Sequence, residues 1–363
     1  MNILLITYQG QLAGSTHSIS FLAKGLAARG HRVVVGLKRK SILYDLLQDD
    51  PNVILIPMTF GGRFDRSNIK HIASVVKEFD IQIINAQSSR DRYTTIFAKW
   101  FYGLNVKIYH TRRQPPKSIG GPQNWFYRAG TEKFIVVSDE LKNIFVKKGF
   151  PPKHLHVIHN GIPGSRFQQW SEPQVFKIES ELGISKDDFV IGCVSRIKRQ
   201  QQLLQAFVEL NLENGKLVFV GIEKSDLDTS IIPEHMESKV LFPGKVDSKL
   251  VLNYYKVFDI DVLPSVTDGF GLVLVEAMAM DCPVIATNFG GIKSVVNNRE
   301  NGLLFEDGDI AELKKLILEV KDQPKLREIL VEGGRKTAFD TFNIETTISG
   351  YEDFFESELK AEH

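Results

Sequence analysis

The chain has 363 residues, which predicts two domains at roughly 100–200 residues each. Its composition, 43% hydrophobic and 25% charged, is that of a globular protein, and no apolar run approaches the roughly 18 residues of a membrane span. The sequence starts without a basic, apolar leader and has only two cysteines, which favours a reduced cytoplasmic protein over a secreted, disulfide-linked one.

Charge is distributed unequally along the chain. Residues 1–165 carry 23 Lys and Arg against 10 Asp and Glu, whereas residues 166–363 carry 22 against 34. A net charge of +13 on the first part and −12 on the second indicates different partners for the two halves. We therefore expect the first part to bind an anionic partner. The alternative is that the net charge of each half only makes that half soluble.

Strand and helix patterns alternate from the N-terminus. An apolar strand at residues 2–8 precedes an amphipathic helix closed by Gly30, and similar pairs recur up to a predicted linker at residues 161–174, which is rich in Gly, Pro and polar residues. The alternation restarts at Phe189. It predicts an α/β protein of two Rossmann-like parallel-sheet domains, with ligand-binding residues directly after the strands and a cleft between the domains. The predicted domains are 1–168 and 169–344, and a final helix at 345–363 is expected to pack back on the first.

One segment of the second domain carries two acidic residues in an apolar context. Residues 267–287 read TDGFGLVLVEAMAMDCPVIAT, in which Asp268 precedes a Gly-Phe-Gly turn and Glu276 lies in a predicted helix, about two turns in. The glycines let a ligand approach the backbone, and the free N–H groups at the helix start favour a phosphate. A lone carboxylate is costly to bury in such a run, which favours a binding role. The alternatives are that Asp268 caps the helix and that Glu276 is solvated.

Residues 264–305, which contain this segment, resemble the signature of glycosyltransferase family 4, whose retaining enzymes have the GT-B architecture. The family places two acids with seven residues between them, as Asp268 and Glu276 are placed here. Further matching segments follow in family order: VVSDELKNIF, VIHNGI, GCVSRI, LVFVG and VLFPGKV. The resemblance implies transfer of a sugar from a nucleotide-sugar donor with retained anomeric configuration, and it implies no metal or other cofactor.

The resemblance also implies roles for individual residues. Glu276 is expected to bind the ribose and Asp268 the sugar, although the family usually has Glu at the first position. Arg196 is expected to hold the diphosphate, with a solvated basic loop as the alternative. The family's second basic clamp falls on Gln201, so Lys198 or Arg199 is expected to replace it. The full set of expected donor-binding residues is Gly14, Lys198, Arg199, Gly244, Lys245, Gly269, Phe270, Gly271, Leu272, Val273 and Glu276.

Residues of the first domain are expected to complete the site. His110, at the predicted end of a strand, resembles the family histidine beside the donor sugar and joins Asp268, Glu276 and Arg196 as a catalytic candidate; the alternative is a hydrogen-bonded core histidine. The expected acceptor is an anionic glycolipid or polysaccharide precursor of the cell envelope, handled at the inner face of the plasma membrane with peripheral contact to anionic lipid. No nucleic acid is expected. The expected acceptor-binding residues are Lys38, Arg112, Arg113 and Lys117.

Other functions stay open at this point. Asp259 and Asp261 match the metal-binding Asp-x-Asp of a different glycosyltransferase class, but they begin a predicted strand and no metal is expected. An NAD-dependent dehydrogenase would need an acidic residue near Lys38. A GT-B nucleotide-sugar epimerase or hydrolase and a non-catalytic nucleotide-sugar-binding protein remain the alternatives.

Overall fold

The computed structural model of the protein describes residues 1–11, 14–115, 121–268 and 270–361. The chain divides into two compact units, one formed by Met1–Ile162 with Ile344–His363 and the other by Pro163–Asn343. The first boundary lies six residues before the predicted position of 168, so residues 163–168 belong to the second unit.

The first unit is a parallel sheet with helices on both faces. Its strands are β1 (Asn2–Ile6), β2 (Arg32–Leu37), β3 (Val53–Pro57), β4 (Ile83–Ala86), β5 (Lys107–Arg112), β6 (Lys133–Val136) and β7 (Leu155–Val157), and its first helices are α1 (Gly14–Ala28), α2 (Ile42–Leu47), α3 (Arg66–Glu78), α4 (Asp91–Tyr102), α5 (Gly121–Gly130) and α6 (Asp139–Lys147). Within the described residues the strand order is β3-β2-β1-β4-β5-β6-β7. Most of the strands are apolar runs, because both faces of such a sheet are covered, whereas β5 also carries buried polar residues.

The second unit repeats this architecture. Its strands are β8 (Phe189–Val194), β9 (Gly215–Val220), β10 (Val240–Gly244), β11 (Ile260–Leu263), β12 (Val284–Thr287) and β13 (Leu303–Phe305), and its helices are α7 (Glu172–Leu182), α8 (Gln200–Leu210), α9 (Val251–Val257), α10 (Leu272–Ala279), α11 (Ile310–Asp322) and α12 (Pro324–Lys336). The described strands pair in parallel in the order β10-β9-β8-β11-β12-β13. The order reverses at β1/β4 in the first unit and at β8/β11 in the second. Ligands of open parallel sheets bind at the carboxyl ends of the strands at such points.

The last helix, α13 (Ile344–Lys360), belongs to the first unit. Its apolar side, with Tyr351 and Phe355, is buried in the core formed by β1 and β5. Arg29, directly after α1, donates hydrogen bonds to Glu352 (2.6 Å) and Glu345 (2.9 Å), which holds α13 against α1. In the described parts of the chain, no helix combines the length and the hydropathy of a membrane span.

Candidate active site

The loops that follow β8 and β11 lie next to each other where the second sheet reverses its strand order. Residues 195–198 follow β8, and residues 264–268 follow β11. Lys198 Nζ joins the two loops by donating hydrogen bonds to Asp268 Oδ1 at 3.1 Å and to Thr267 Oγ1 at 2.8 Å. The structure therefore brings together two predicted site residues, Lys198 and Asp268, at the edge where a parallel sheet binds its ligand.

The three basic residues after β8 have different surroundings. The Lys198 side chain is mostly buried against Asp268, whereas Arg199 is exposed and lies 3.6 Å from Asp307. Arg196 is exposed, and within the described part of the chain its guanidinium makes no hydrogen bond or ion pair. Of the two predicted substitutes for the missing family lysine, Lys198 is thus the one beside Asp268. Arg196 keeps its whole hydrogen-bonding capacity for a ligand.

Helix α10 starts at a glycine and not at a capping side chain. Gly271 is the N-cap residue, with a φ of 86° that glycine adopts without steric cost, and no side chain caps the helix. Asp268 instead pairs with Lys198, and its carbonyl accepts a hydrogen bond from the Gly291 N–H at 3.2 Å. The alternative role of Asp268 as a helix cap is therefore wrong.

Glu276 is held by an arginine that the sequence analysis missed. Because α10 begins at Leu272, Glu276 lies one turn into the helix rather than about two. Arg166 Nε and Nη2 each lie 3.2 Å from Glu276 Oε1, and Arg166 also donates to the Ser248 carbonyl (2.7 Å) and to Gln169 Oε1 (3.0 Å). The Arg166 and Glu276 side chains are only 10% and 16% exposed, so Glu276 is not a solvated helix residue.

This pairing fixes one oxygen of the carboxylate. Both contacts from Arg166 are to Oε1, and Oε2 accepts no hydrogen bond from a described residue. Burial raises the pKa of Glu276, and the charge and hydrogen bonds of Arg166 oppose that shift. Glu276 is thus a positioned carboxylate with one oxygen available to a hydroxyl donor. The sequence signal for Arg166 was weak: it is the only charged residue between Lys153 and Glu172.

Glycines end two neighbouring strands for structural reasons. Gly221, after β9, has a φ of 101°, and a Cβ there would lie 2.7 Å from the Ser195 carbonyl oxygen. Gly244, the last residue of β10, has a φ of 71° and accepts the Gly221 N–H at 2.8 Å. The backbone alone accounts for glycine at position 244, so its residue type does not point to a nucleotide base. Lys245 follows as an exposed side chain.

The remaining predicted donor residues lie in three places. Phe270 is buried, with its ring 4.9 Å from that of Phe342. Leu272 and Val273 form the half-buried first turn of α10, and Gly14 is the exposed first residue of α1. The predicted site residues that lie outside the described part of the chain are Gly269 and Lys117.

The two aspartates of the Asp-x-Asp sequence are engaged within the protein. Asp259 pairs with Arg327 at 2.9 Å and accepts the Val190 N–H at 2.8 Å. Asp261 is fully buried in β11, where Oδ1 accepts the Val194 N–H at 3.3 Å and Oδ2 has no partner in the described structure. Burial raises the pKa of Asp261 well above the ordinary value, which favours the neutral acid. Among the described residues, no cluster of three or more His, Cys, Asp and Glu side chains is arranged to hold a metal ion.

Asp261→Asn is expected to fold and to change the pH dependence of stability. The unfolded Asp ionises near about pH 3.9, so the wild type loses about 1.4 kcal/mol per pH unit as the pH rises from there towards the raised folded-state pKa. Asparagine cannot ionise and keeps the acceptor for Val194, which removes this slope. Thermal melts of both proteins at several pH values between about 5 and 8 measure the difference. Parallel pH profiles would show that Asp261 is ionised in the fold.

His110 is a core residue of the first unit. Strand β5 extends to Arg112, so His110 does not end the strand, and its side chain has no exposed surface. The imidazole packs between Phe134 (5.1 Å between ring centroids) and Tyr127 (5.7 Å), and neither nitrogen has a hydrogen-bond partner in the described structure. Burial, with a smaller effect of Arg92, lowers its pKa well below the usual value. A side chain enclosed in this way does not contact substrate in this conformation, so its catalytic role stays a prediction without geometric support.

Arg112 and Arg113, two of the expected acceptor-binding residues, make internal contacts. Arg112 is buried, with Cζ 4.8 Å from the centre of the Phe145 ring, and burial lowers its pKa to about 9. Arg113, the next residue, donates to Gln87 Oε1 at 2.6 Å. Successive residues of an extended chain point to opposite sides, so the two guanidinium groups serve different internal contacts.

Lys38 shares a tyrosine with a second cation. Lys38 Nζ lies 5.8 Å and Arg90 Cζ 4.8 Å from the centre of the Tyr8 ring. The Tyr8 N–H donates to Ser88 Oγ at 3.2 Å, which joins the loops after β1 and β4 where the first sheet reverses its order. Arg90 was missed because the sequence analysis considered basic residues after β2 and β5, whereas Arg90 follows β4. We call Tyr8, Lys38 and Arg90 the cation pair at Tyr8.

Family models match both units. The description "Glycosyltransferase Family 4" applies to residues 13–166, and "Glycosyl transferases group 1" applies to residues 174–337. The two matches together cover most of the chain. The first match ends at residue 166, four residues after the boundary that follows Ile162.

Curated and solved proteins agree with these matches. The N-acetyl-alpha-D-glucosaminyl L-malate synthase of Bacillus anthracis is 26% identical and aligns with 96% of this chain and 92% of its own. The alpha-monoglucosyldiacylglycerol synthase of Acholeplasma laidlawii is also 26% identical, over 88% and 87%. The Anabaena protein HepE, solved with UDP, shares the fold with a TM-score of 0.82 at 19% identity, covering 98% of this chain and 100% of its own. The chain therefore belongs to glycosyltransferase family 4 and has the GT-B fold.

Proposed function

We propose that the protein is a retaining glycosyltransferase that moves a sugar from a nucleotide-sugar to an anionic acceptor in glycolipid or polysaccharide synthesis. The observation that carries the proposal is the Glu276 carboxylate, fixed through Oε1 by Arg166 and open at Oε2, on the helix that follows the sheet's reversal point. HepE, which has the same fold, was solved with UDP. We place the reaction in the cytoplasm, since Cys193 and Cys282 are buried free thiols.

The donor roles follow from this arrangement. A vicinal diol is a double hydroxyl donor, and Glu276 Oε2 is the acceptor available to it. The diphosphate would meet the first N–H groups of α10 and the guanidinium of Arg196, which has no hydrogen-bond partner among the described residues. Lys198 now neutralises Asp268, so an arriving donor would compete for both of these groups.

The chemistry needs no protein nucleophile. The bond between the sugar's anomeric carbon and the diphosphate oxygen breaks, and the acceptor hydroxyl forms a new bond to that carbon on the same face. The hydroxyl proton passes to the departing diphosphate. The chain's contribution is to stabilise the charge that develops on the diphosphate, through Arg196, Lys198 and the start of α10.

The acceptor would bind the first unit through the cation pair at Tyr8. Lys38 and Arg90 converge on one ring at the carboxyl ends of the strands, whereas Arg112 and Arg113 are committed to internal contacts. An anionic acceptor agrees with the L-malate in the name of the Bacillus anthracis relative. A lipid acceptor agrees with the diacylglycerol in the name of the Acholeplasma laidlawii relative.

Lys38→Ala with Arg90→Ala is expected to raise the acceptor KM about ten-fold or more, because charge-assisted contacts to an anion are lost. Hydrolysis of the donor in the absence of acceptor should be nearly unchanged. Lys24→Ala, an exposed lysine on α1, is the matched control and should change neither quantity. Steady-state kinetics with each substrate varied measure the acceptor KM and the rate of donor hydrolysis separately. An unaltered acceptor KM in the double variant would show that the acceptor binds elsewhere.

A donor screen tests the proposed function as a whole. Wild-type protein is incubated with UDP-, GDP-, ADP- and dTDP-sugars, with and without a mixture of sugar, phosphorylated and lipid-linked acceptors, and in excess EDTA. We expect transfer from at least one donor, an anomeric proton spectrum that shows retention, and full activity in EDTA, since α10 and basic side chains neutralise a diphosphate without a metal. Turnover that never needs an acceptor would favour an epimerase or hydrolase. Absence of binding to every nucleotide-sugar would overturn the proposal.

A further inference from the structure

A cluster of aromatic side chains lies on the surface of the first unit. It comes from α4, α5 and the loop before α3, and its rings contact one another in series. Ring centroids are 5.1 Å apart for Phe64 and Phe97, 5.3 Å for Phe97 and Phe126, and 6.5 Å for Trp100 and Trp125. We call this cluster the aromatic face, and its members are Phe64, Phe97, Trp100, Phe101, Trp125 and Phe126.

The outer rings of the aromatic face are unusually exposed. Phe64, Phe101 and Trp125 are 71%, 68% and 66% exposed, which ordinary folding does not require of side chains of this size. Scattered exposed apolar residues are normal, but contiguous ones mark a surface that meets another apolar phase or partner. Helix α4 presents Phe97, Trp100 and Phe101 at spacings of three and four residues, so one side of that helix supplies much of the face.

The surroundings of the aromatic face are basic. Arg63 and Arg66, which lie on either side of Phe64 in the sequence, are exposed basic residues. Arg128 is exposed three residues after Trp125, and Arg63 Cζ lies 4.8 Å from the centre of the Tyr93 ring at the edge of the face. The carboxylate of the nearby Asp65 is held within its own loop, because it accepts hydrogen bonds from the N–H groups of Gly61 and Asn68.

We propose that the aromatic face docks the first unit on an anionic lipid bilayer. Rings with basic side chains at their margin fit the boundary between headgroups and acyl chains, where the rings enter the apolar layer and the cations meet lipid phosphates. A second copy of the chain is a less favourable partner for the aromatic face, because two such faces would place basic side chains opposite each other.

The loop at residues 58–65 connects this surface to the cation pair at Tyr8. Arg90 donates a hydrogen bond to the Phe60 carbonyl at 2.9 Å, and Phe64 follows on the same loop. A docked first unit would hold this loop at the lipid surface. The docking surface itself does not depend on the proposed transferase activity, since it is defined by residues outside the donor site.

Vesicle binding without donor or acceptor tests the inference. Trp170→Phe leaves Trp100 and Trp125 as the only tryptophans, so fluorescence then reports on the aromatic face alone. On vesicles of phosphatidylglycerol and phosphatidylcholine we expect a blue shift and quenching by brominated acyl chains, and weak binding to pure phosphatidylcholine. Phe101→Ser with Trp125→Ser should lower the partition coefficient about ten-fold or more. Phe176, on α7 of the second unit, has a ring of similar exposure. The control variant Phe176→Ser should leave the partition coefficient unchanged.

Three outcomes would overturn the docking surface. These are equal binding of the double variant and the wild type, equal binding to charged and uncharged vesicles, and a wild-type dimer in sedimentation that the double variant converts to monomer. The last result would assign the face to a second copy of the chain. Donor hydrolysis in solution, measured on the same proteins, should be unaffected by the double variant, which keeps a failure of docking distinct from a failure of the proposed activity.

Discussion

Arg166→Ala is expected to destabilise the second unit by about 3 kcal/mol or more, because it leaves the Glu276 carboxylate buried without its counter-charge. The variant also loses the hydrogen bonds that Arg166 makes to Ser248 and Gln169. Donor affinity should fall as well, since Oε1 is no longer held and the carboxylate is free to turn. Differential scanning calorimetry measures the first effect and nucleotide titration the second.

Two further variants separate stability from binding. Arg166→Met combined with Glu276→Gln removes both charges, so it should recover much of the stability and none of the donor affinity. Arg335→Ala breaks an exposed pair with Asp281 and should leave the melting temperature nearly unchanged. A single Arg166→Ala variant as stable as the wild type would mean that the pair with Glu276 does not position the carboxylate.

Arg196→Ala is expected to lower turnover by about 10²–10³ while leaving the melting temperature unchanged. Arg196 is exposed, and its guanidinium makes no hydrogen bond or ion pair with a described residue, so we expect the fold to lose little when it is removed. Lysine at this position should restore only part of the activity, because it lacks the planar fork that matches a diphosphate. Steady-state kinetics together with a thermal melt give both quantities.

The result also decides between neighbouring cations. If Arg196→Ala retains full turnover, the diphosphate is held elsewhere, and Lys198 becomes the first choice because it lies beside Asp268. Lys198→Ala should then show the larger loss. Arg199→Ala is the control, since Arg199 faces Asp307 and is mostly exposed.

The fold was predictable because its signal is local. Strands buried on both faces read as short apolar runs, and these runs alternate with helices along the chain, so two parallel sheets follow directly. The GT-B architecture rests on the same alternation together with the motif around Asp268 and Glu276. The start of α10 at Leu272 follows from the same local signal, because Gly271 precedes the helix in a left-handed conformation.

Site residues were predictable only where a motif within one short segment of the sequence identifies them. Glu276 was found through its spacing from Asp268, but its partner Arg166 lies in a Gly- and Pro-rich segment 110 residues earlier, and nothing local marks it. Arg112 and His110 were misplaced for one reason. Strand β5 continues to Arg112, so the alternation of side chains carries both residues into the aromatic core. Arg90 was missed because pairing of β4 with β1, which is non-local, brings it to Tyr8.

Calorimetric titration of UDP and 2′-deoxy-UDP into the wild type and Glu276→Gln tests the central claim, that Glu276 holds the ribose of a nucleotide-sugar. UDP is the first nucleotide to use because HepE was solved with it. We predict that Glu276→Gln binds UDP about ten- to a hundred-fold more weakly than the wild type, as expected for loss of a charge-assisted hydrogen bond. Removing the 2′-hydroxyl of the nucleotide should lower the affinity of the wild type by a similar factor and that of the variant by much less. Equal affinity of both proteins for UDP, or equal losses on removal of the hydroxyl, would contradict the assignment.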